Sequence, residues 1–236
     1  MSIGWFEAVQ NIFFPHLCLY CENKIPNGFL CSKCEQKIHL LYSPLCQYCS
    51  KPIKLSPLNI CKECQGKIHP YDRAISAAAY KEPIVSLIRL FKYKNYSWLA
   101  SFFTQLIIKQ LSETDFNPSE YDLIIPVPMH KYKLKMRGYN QAALLAKPLS
   151  KYFKIPFEDG IMKSIDFGPS QTKLSRGLRQ KNVEKAFTAT ENLNNKKIIL
   201  VDDIFTTGST AASCCRELKN AQSGLITVIT ASKTIH

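Results

Sequence analysis

The sequence has no apolar run long enough to cross a membrane, for which about 20 consecutive apolar residues are needed. Residues 1–14 contain no Lys or Arg, so the basic start of a secretory signal is missing. There is also no Gly-x-x-x-x-Gly-Lys-Ser/Thr motif, which excludes the P-loop class of nucleotide-binding proteins. These absences predict a cytoplasmic protein without a membrane span, whose thiols are kept reduced.

Acidic residues are scarce. The chain has 18 Asp and Glu against 31 Lys and Arg, which gives a net charge of +13. Residues 130–181 are the most basic window and include interleaved aromatic residues, and residues 91–98 form a second basic and aromatic stretch. Surfaces of this kind bind single-stranded nucleic acid through phosphate contacts and base stacking. Overall charge alone favours an anionic partner without distinguishing DNA from a sugar phosphate.

Cysteine is concentrated at the start of the chain, where eight of the ten residues form four Cys-x-x-Cys pairs. The pairs are Cys18/Cys21, Cys31/Cys34, Cys46/Cys49 and Cys61/Cys64. Two such pairs complete a tetrahedral site, so the pattern predicts two structural Zn²⁺ ions without an open position for substrate. Pairing in sequence order would give one site from the first four cysteines and another from the last four. An interleaved pairing also fits the spacing.

The cysteine pattern divides the chain into a double zinc-ribbon domain at residues 1–70 and a second domain at residues 71–236. A ribbon this small builds little core, so bound metal must supply much of its folding energy. In the second domain, predicted strands alternate with predicted helices, which indicates an α/β fold with a parallel sheet flanked by helices. The strands are predicted at 74–80, 122–127, 198–201 and 225–231, and the helices at 83–91, 98–111, 140–153 and 209–219. Pro148 is expected to kink or break its helix.

One segment combines a strand, an acid pair and a hydroxyl-rich loop. It reads Ile198-Ile199-Leu200-Val201-Asp202-Asp203-Ile204-Phe205-Thr206-Thr207-Gly208-Ser209-Thr210. The four leading apolar residues predict a strand buried on both faces, with Asp202 and Asp203 at its carboxyl end, where α/β sheets bind ligands. Two adjacent carboxylates repel each other and need hydroxyl donors, a cation or solvent. A ribose diol with Mg²⁺ nearby satisfies that need.

The loop after the acid pair suits a phosphate group. Its hydroxyl donors are Thr206, Thr207, Ser209 and Thr210. Gly208 allows the backbone to approach a ligand closely, and the helix that follows directs its first N–H groups at an anion. A helix cap after a buried strand is the alternative, but a cap needs one such residue and not two acids with four hydroxyls.

Basic residues follow the second predicted strand, in the segment 126–141. They are Lys131, Lys133, Lys135 and Arg137. At the carboxyl edge of a parallel sheet these side chains could neutralise a pyrophosphate, and a solvated basic loop is the alternative. A polar loop at 170–187 contains Arg176 and Arg179. It either closes over a bound sugar phosphate and excludes water or is a plain surface connection, and the sequence does not separate the two.

The segment from Ile198 to Thr210 resembles the 5-phosphoribosyl-1-pyrophosphate (PRPP) motif of type I phosphoribosyltransferases. The resemblance implies that Asp202 and Asp203 hold the ribose hydroxyls, that Thr206, Thr207, Gly208, Ser209 and Thr210 hold the 5′-phosphate, and that Mg²⁺ accompanies PRPP. Phe205 is a departure, because a smaller residue is usual there, and we expect it to crowd the loop.

Nearly the whole chain resembles the competence protein F (ComF/ComFC) family. The resemblance is carried by the four cysteine pairs, Pro126-Val127-Pro128, residues 137–141 (Arg-Gly-Tyr-Asn-Gln), Gln171, Leu174, Arg179, residues 182–187 and the PRPP motif. It implies a double zinc ribbon joined to a type I phosphoribosyltransferase-like domain. It further implies a role in natural transformation, single-stranded DNA and PRPP as ligands, and contacts with other DNA-uptake proteins.

Two hypotheses follow from the resemblance and the charge. In the first, the chain binds incoming single-stranded DNA on its basic surface and carries a PRPP-binding pocket. In the second, it is an active Mg²⁺-dependent phosphoribosyltransferase that transfers the ribosyl group to an unknown acceptor. We favour the first, because the sequence shows no clear general base and no recognisable segment for base specificity.

Overall fold

The computed structural model describes residues 16–54, 57–165 and 186–235. Its strands are β1 (Arg73–Ala79), β2 (Leu123–Pro126), β3 (Met162–Ser164), β4 (Phe187–Ala189), β5 (Ile198–Phe205) and β6 (Ile226–Lys233). Four of them form a parallel sheet in the order β1-β6-β5-β2, while β3 and β4 form a small antiparallel pair. The predicted parallel α/β sheet is therefore confirmed.

The centre of the sheet is apolar because both of its faces are covered. In β5 the four residues from Ile198 to Val201 are completely buried, as expected for a strand of a parallel sheet between helical layers. The strand continues through Asp202 and Asp203 to Phe205, so the acid pair lies inside β5 and not beyond its end as predicted. The side chain of Asp203 is consequently held at a fixed position on the sheet.

The described helices are α1 (Ser32–Glu35), α2 (Ile84–Tyr93), α3 (Leu99–Ser112), α4 (Lys131–Arg137), α5 (Gln141–Phe153) and α6 (Ser209–Asn220), with a 3₁₀ turn at Pro118–Glu120. Apolar residues at helical spacing bury one face of α2 and of α5, which is the pattern of helices packed on a core. Pro148 lies inside α5, which continues past it to Phe153, so the predicted break does not occur. Within the described ranges, none of the helices combines the length and apolarity needed to cross a membrane.

The cysteine-rich region packs along the outer edge of β1. Leu41 donates its N–H to the Ala77 carbonyl at 3.2 Å, and the N–H of Ala79 donates to the His39 carbonyl at 2.8 Å. Further along the edge, the N–H of Ala74 donates to the Gln47 carbonyl at 2.8 Å. These hydrogen bonds satisfy backbone N–H and C=O groups that an edge strand otherwise leaves unpaired. The division at residue 70 stays a prediction, and the cysteine-rich region shares its apolar core with the sheet.

Candidate functional site: two cysteine centres and an acid pair with a hydroxyl-rich loop

The eight cysteines form two groups in sequence order. One contains Cys18, Cys21, Cys31 and Cys34, and the other contains Cys46, Cys49, Cys61 and Cys64. Within each group all four sulfur atoms lie within 4.8 Å of one another. The structure therefore favours sequential over interleaved pairing.

The sulfur spacing fits tetrahedral zinc. The Sγ atoms of Cys21 and Cys31 are 3.7 Å apart, as are those of Cys49 and Cys61. A tetrahedron with Zn–S bonds of about 2.3 Å has edges of about 3.8 Å, whereas a disulfide requires about 2.05 Å. The donor sets are thus consistent with two structural Zn²⁺ ions, each with four thiolates and no open coordination position.

The acid pair lies between the strand core and the carboxyl edge of the sheet. Asp203 is buried and Asp202 is partly buried, and the Asp203 N–H donates to Oδ1 of Asp202 at 2.8 Å. Burial and then the adjacent Asp203 carboxylate raise the pKa of Asp202 to about 7, although the Asp203 N–H and the charges of Lys92 and Lys133 act to lower it. The pair is therefore a site of concentrated negative charge that favours hydroxyl donors and cations.

Lys92, at the end of α2, belongs to this site. Its Nζ lies 2.8 Å from Oδ2 of Asp203, and both side chains are largely buried. In the sequence, Lys92 is distinguished only as part of the basic stretch at 91–98. No sequence signal connects it with Asp203, since the two residues are far apart in the chain and meet only because α2 reaches the carboxyl edge.

The loop of residues 206–210, which follows the acid pair, is shaped by Phe205 and Gly208. Gly208 precedes α6 with φ of +77°, a left-handed conformation that glycine adopts without strain. A Cβ at this position would lie 2.5 Å from Cζ of Phe205. The Phe205 ring is buried directly against the loop, so the contact expected from its size is present, and glycine is required for close approach as well as for backbone conformation.

Two further residues support the loop from below. The Nζ of Lys233, at the end of β6, donates to the Thr206 carbonyl at 2.9 Å and lies 5.2 Å from the centre of the Phe205 ring. Tyr71 packs against the same ring edge to face, with centroids 6.3 Å apart. Tyr71, Phe205 and the second cysteine group belong to one buried cluster. The loop therefore rests on a core that includes a zinc-binding region.

The hydroxyl residues of the loop remain accessible. Thr206, Thr207, Ser209 and Thr210 are exposed. Thr207 Oγ1 donates to Ser209 Oγ at 3.1 Å. A small cavity of about 10 Å³ touches Asp202, Gly208 and Thr210. The structure thus places the predicted acid pair and the predicted loop at one edge of the sheet, next to the first turn of α6.

The basic segment after β2 lies beside this edge, because β2 and β5 are direct parallel neighbours with Pro126 opposite Val201. Residues 131–137 form a helix, α4, and not a loop. Lys131, Lys133 and Lys135 are exposed, and the positive charge of Lys133 acts to lower the pKa of Asp202. Arg176 and Arg179 lie outside the described residues, as does most of the polar loop at 170–187.

The segment Arg137–Gln141 makes contacts within the protein. The Arg137 Nη1 donates to Oε1 of Gln141 at 2.9 Å, and its guanidinium lies 5.0 Å from the centre of the Tyr93 ring. The Tyr139 hydroxyl donates to the Phe91 carbonyl at 2.5 Å. Arg137 was predicted as a pyrophosphate or nucleic-acid residue, and in the structure it joins α4 to the end of α2.

Two protein-family models match the chain. A family model described as a double zinc ribbon domain matches residues 9–65, and one described as a phosphoribosyl transferase domain matches residues 140–234. The chain therefore combines a double zinc ribbon with a phosphoribosyltransferase-like domain. A solved purine phosphoribosyltransferase from Pyrococcus horikoshii Ot3 is 16% identical over 56% of this chain and 72% of its own, with a TM-score of 0.37, a likeness too low to add to this assignment.

Two curated relatives cover most of the chain. Competence protein F of Haemophilus influenzae is 31% identical over 208 residues, which is 84% of this chain and 88% of the relative. The DNA utilization protein YhgH of Escherichia coli strain K12 is 29% identical over 208 residues, which is 86% of this chain and 91% of the relative. This chain belongs to the competence protein F family.

Proposed function

We propose that this chain binds single-stranded DNA on a basic surface and PRPP in the adjoining pocket, as part of DNA uptake. The names of its relatives point to competence and DNA utilization. The observation that carries the proposal is the position of α4, whose exposed lysines follow β2 at the same edge of the sheet as the acid pair of the neighbouring strand β5. Contacts with other DNA-uptake proteins and a cytoplasmic location stay predictions.

The PRPP pocket is supported by the arrangement of acids and loop. Asp202 and Asp203 would accept hydrogen bonds from the ribose hydroxyls. The exposed hydroxyls of Thr206–Thr210 and the first N–H groups of α6 would bind the 5′-phosphate. The buried ring of Phe205 keeps the loop close to the sheet.

The same site fits Mg²⁺ by its donor chemistry, since carboxylate oxygens and substrate phosphates are the usual ligands of this ion. The acid pair has two carboxylates and Lys92 contacts one of them, Asp203, so a further cation beside Asp202 is favoured. Bound with PRPP, Mg²⁺ would neutralise charge on the pyrophosphate.

The DNA surface is supported by α4 and the neighbouring end of α2. None of the residues of α4 is buried, and the aromatic ring of Tyr132 is 67% exposed beside three lysines. Tyr93 is 69% exposed and lies under Arg137. The two basic and aromatic stretches of the sequence therefore meet in one surface, which offers phosphate contacts and stacking platforms together.

Charge reversal tests the DNA surface. Lys131, Lys133 and Lys135 are changed together to Glu, and binding of a fluorescent oligonucleotide is followed by anisotropy at several salt concentrations. Losing three phosphate contacts should lower the slope of log K against log salt by about 2, and reversal of charge should abolish binding at physiological salt. Unchanged affinity would refute this surface.

A matched control carries the same change in charge at the opposite edge of the sheet. Lys109, Lys151 and Lys154 are exposed there. Two contacts place them at that edge. Asp115, which follows α3, pairs with Arg73 at the start of β1. The carbonyl of Pro156, which follows α5, accepts from the N–H of Ile124 near the start of β2. The triple Glu variant of these control residues should bind DNA with little change, apart from the weaker long-range attraction.

A double substitution tests the pocket. Asp202→Asn with Asp203→Asn should eliminate PRPP binding in calorimetry with Mg²⁺ present. The control is Glu158→Gln with Asp159→Asn, which removes two adjacent exposed acids and should leave binding unchanged. Intact PRPP affinity in the Asp202/Asp203 variant would contradict the pocket assignment.

The second candidate function is an active Mg²⁺-dependent phosphoribosyltransferase of unknown acceptor. The observation in its favour is that the acid pair and the loop are both present at one sheet edge. Pyrophosphate release from PRPP, measured with and without single-stranded DNA, separates the two candidates. Turnover identifies an enzyme, whereas binding without release supports a binding protein.

A further inference from the structure

We propose that Lys92 is the positioning residue of the ribose subsite. Its ammonium group holds the Asp203 carboxylate in the orientation that accepts from a ribose hydroxyl, and it carries the fixed positive charge that the acid pair needs. This inference rests on the proposed PRPP pocket and assigns that pocket a residue outside its sequence motif.

The Lys92–Asp203 ion pair differs from the others that the structure describes. Its two side chains are 18% and 10% exposed. The pairs Lys51–Glu63, Arg73–Asp115 and Lys219–Asp72 each include an acid that is at least 46% exposed. Exposed pairs contribute little because solvent screens them, whereas a buried carboxylate depends on its partner. Asp203 is therefore the acid whose orientation Lys92 fixes.

The position of Lys92 is fixed from both sides. Before it, the Phe91 carbonyl accepts from the Tyr139 hydroxyl at 2.5 Å and from Nε2 of Gln141 at 3.5 Å. After it, the ring of Tyr93 lies against the Arg137 guanidinium. The segment Arg137–Gln141 therefore secures the end of α2 to the carboxyl edge. Its physical role in this arrangement is to keep Lys92 directed at the acid pair.

The two acids are consequently not equivalent. Asp203 is anchored through Oδ2 to Lys92, while Asp202 is more exposed and accepts the Asp203 N–H through Oδ1. Two adjacent carboxylates repel each other, so without the Lys92 contact the Asp203 carboxylate would turn away from its present position. That change removes the paired acceptors that a ribose diol requires.

Binding measurements on three variants test this role. Lys92→Met removes the charge, Lys92→Arg keeps it, and Lys94→Met removes an exposed charge two residues away as the control. Calorimetry with Mg²⁺ is carried out separately with PRPP and with ribose 5-phosphate. Lys92→Met should weaken the binding of both ligands by about tenfold or more, because Asp203 is no longer held in the orientation that accepts a hydrogen bond from the ribose. Lys92→Arg and Lys94→Met should stay close to wild type.

The use of two ligands separates the possible results. If Lys92→Met loses PRPP binding but binds ribose 5-phosphate normally, Lys92 contacts the pyrophosphate and not the ribose subsite. If Lys92→Met and wild type bind both ligands equally, Lys92 has no role in the pocket. Either result overturns the proposal. A wild-type protein that binds neither ligand overturns the pocket itself. If Lys92→Met is unfolded by circular dichroism, Lys92→Gln, which is neutral but keeps a hydrogen-bond donor, replaces it with the same expected result.

Discussion

Asp202 allows the electrostatics of the acid pair to be tested without a ligand. Its folded-state pKa is raised to about 7 by burial and by Asp203, whereas an aspartate in an unfolded chain has a pKa of about 3.9. Between these values the native protein keeps a proton that the unfolded chain has released. The contribution of Asp202 to the free energy of unfolding therefore falls as pH rises through this window, and it is lowest above pH 7.

The size of the effect follows from the pKa difference. A shift of about three pKa units corresponds to about 4 kcal/mol. Because Asp202 is only partly buried, solvent screens some of this, and we expect about 2–4 kcal/mol between pH 4 and pH 8. Asn at this position is neutral at every pH. Asp202→Asn should thus be more stable than wild type at pH 8 and close to it near pH 4.

Urea denaturation at constant ionic strength, from pH 4 to pH 8, measures the predicted difference. Wild type, Asp202→Asn and the exposed control Asp159→Asn are compared at each pH. Subtracting the wild-type curve removes the contributions of all other titrating groups. The difference should grow with pH for Asp202→Asn and stay flat for Asp159→Asn.

Two results would refute the reasoning. If the plots of unfolding free energy against pH are parallel for wild type and Asp202→Asn, Asp202 titrates alike in the folded and unfolded states. Its pKa is then not raised by the fold. If Asp202→Asn loses stability at pH 8, the ionised carboxylate makes a favourable contact that outweighs its burial.

The remaining predictions concern the loop and the metal centres. Phe205→Ala removes a buried ring and should lower the free energy of unfolding by about 3–5 kcal/mol, measured by urea denaturation; a loss of under about 1 kcal/mol would contradict its core position. Gly208→Ala should weaken PRPP binding in calorimetry because its Cβ meets Phe205, whereas Gly138→Ala has a similar φ of +78° but open space and should leave binding intact. Chelation should release two zinc ions per chain in a colorimetric assay, and Cys61→Ser should reduce PRPP binding more than Cys31→Ser, since only the second cysteine group shares a core with Phe205. Equal effects of the two cysteine variants would argue against that connection.

The strand and helix pattern was readable because it depends on local periodicity. The apolar run Ile198–Val201 predicted a buried strand, and the structure buries it completely. The limits of elements were less accurate. The strand continues to Phe205 because β6 pairs with it through Lys233, and such pairing is not visible in the sequence of β5 alone. Likewise, α5 passes through Pro148 because the packing of its apolar face outweighs the local preference of one proline.

The sequence predicted the four Cys-x-x-Cys pairs but not which two pairs share a metal ion. Each Cys-x-x-Cys pair defines a tight turn by its own spacing, so the four pairs were evident. Which pairs share a metal depends on where the chain places them, and the four cysteines from Cys18 to Cys34 come together only in the fold.

By itself the sequence determined the family, the eight cysteine ligands and the acid pair with its loop, because each of these is a short contiguous pattern. The tertiary structure alone decided that Lys92 faces Asp203 and that α4 lies at the same sheet edge as the acid pair. It also decided that Lys233 and Tyr71 pack around Phe205 and the loop 206–210. These contacts join segments far apart in the chain, and their geometry follows from the strand order β1-β6-β5-β2 and the packing of α2, which no local pattern encodes.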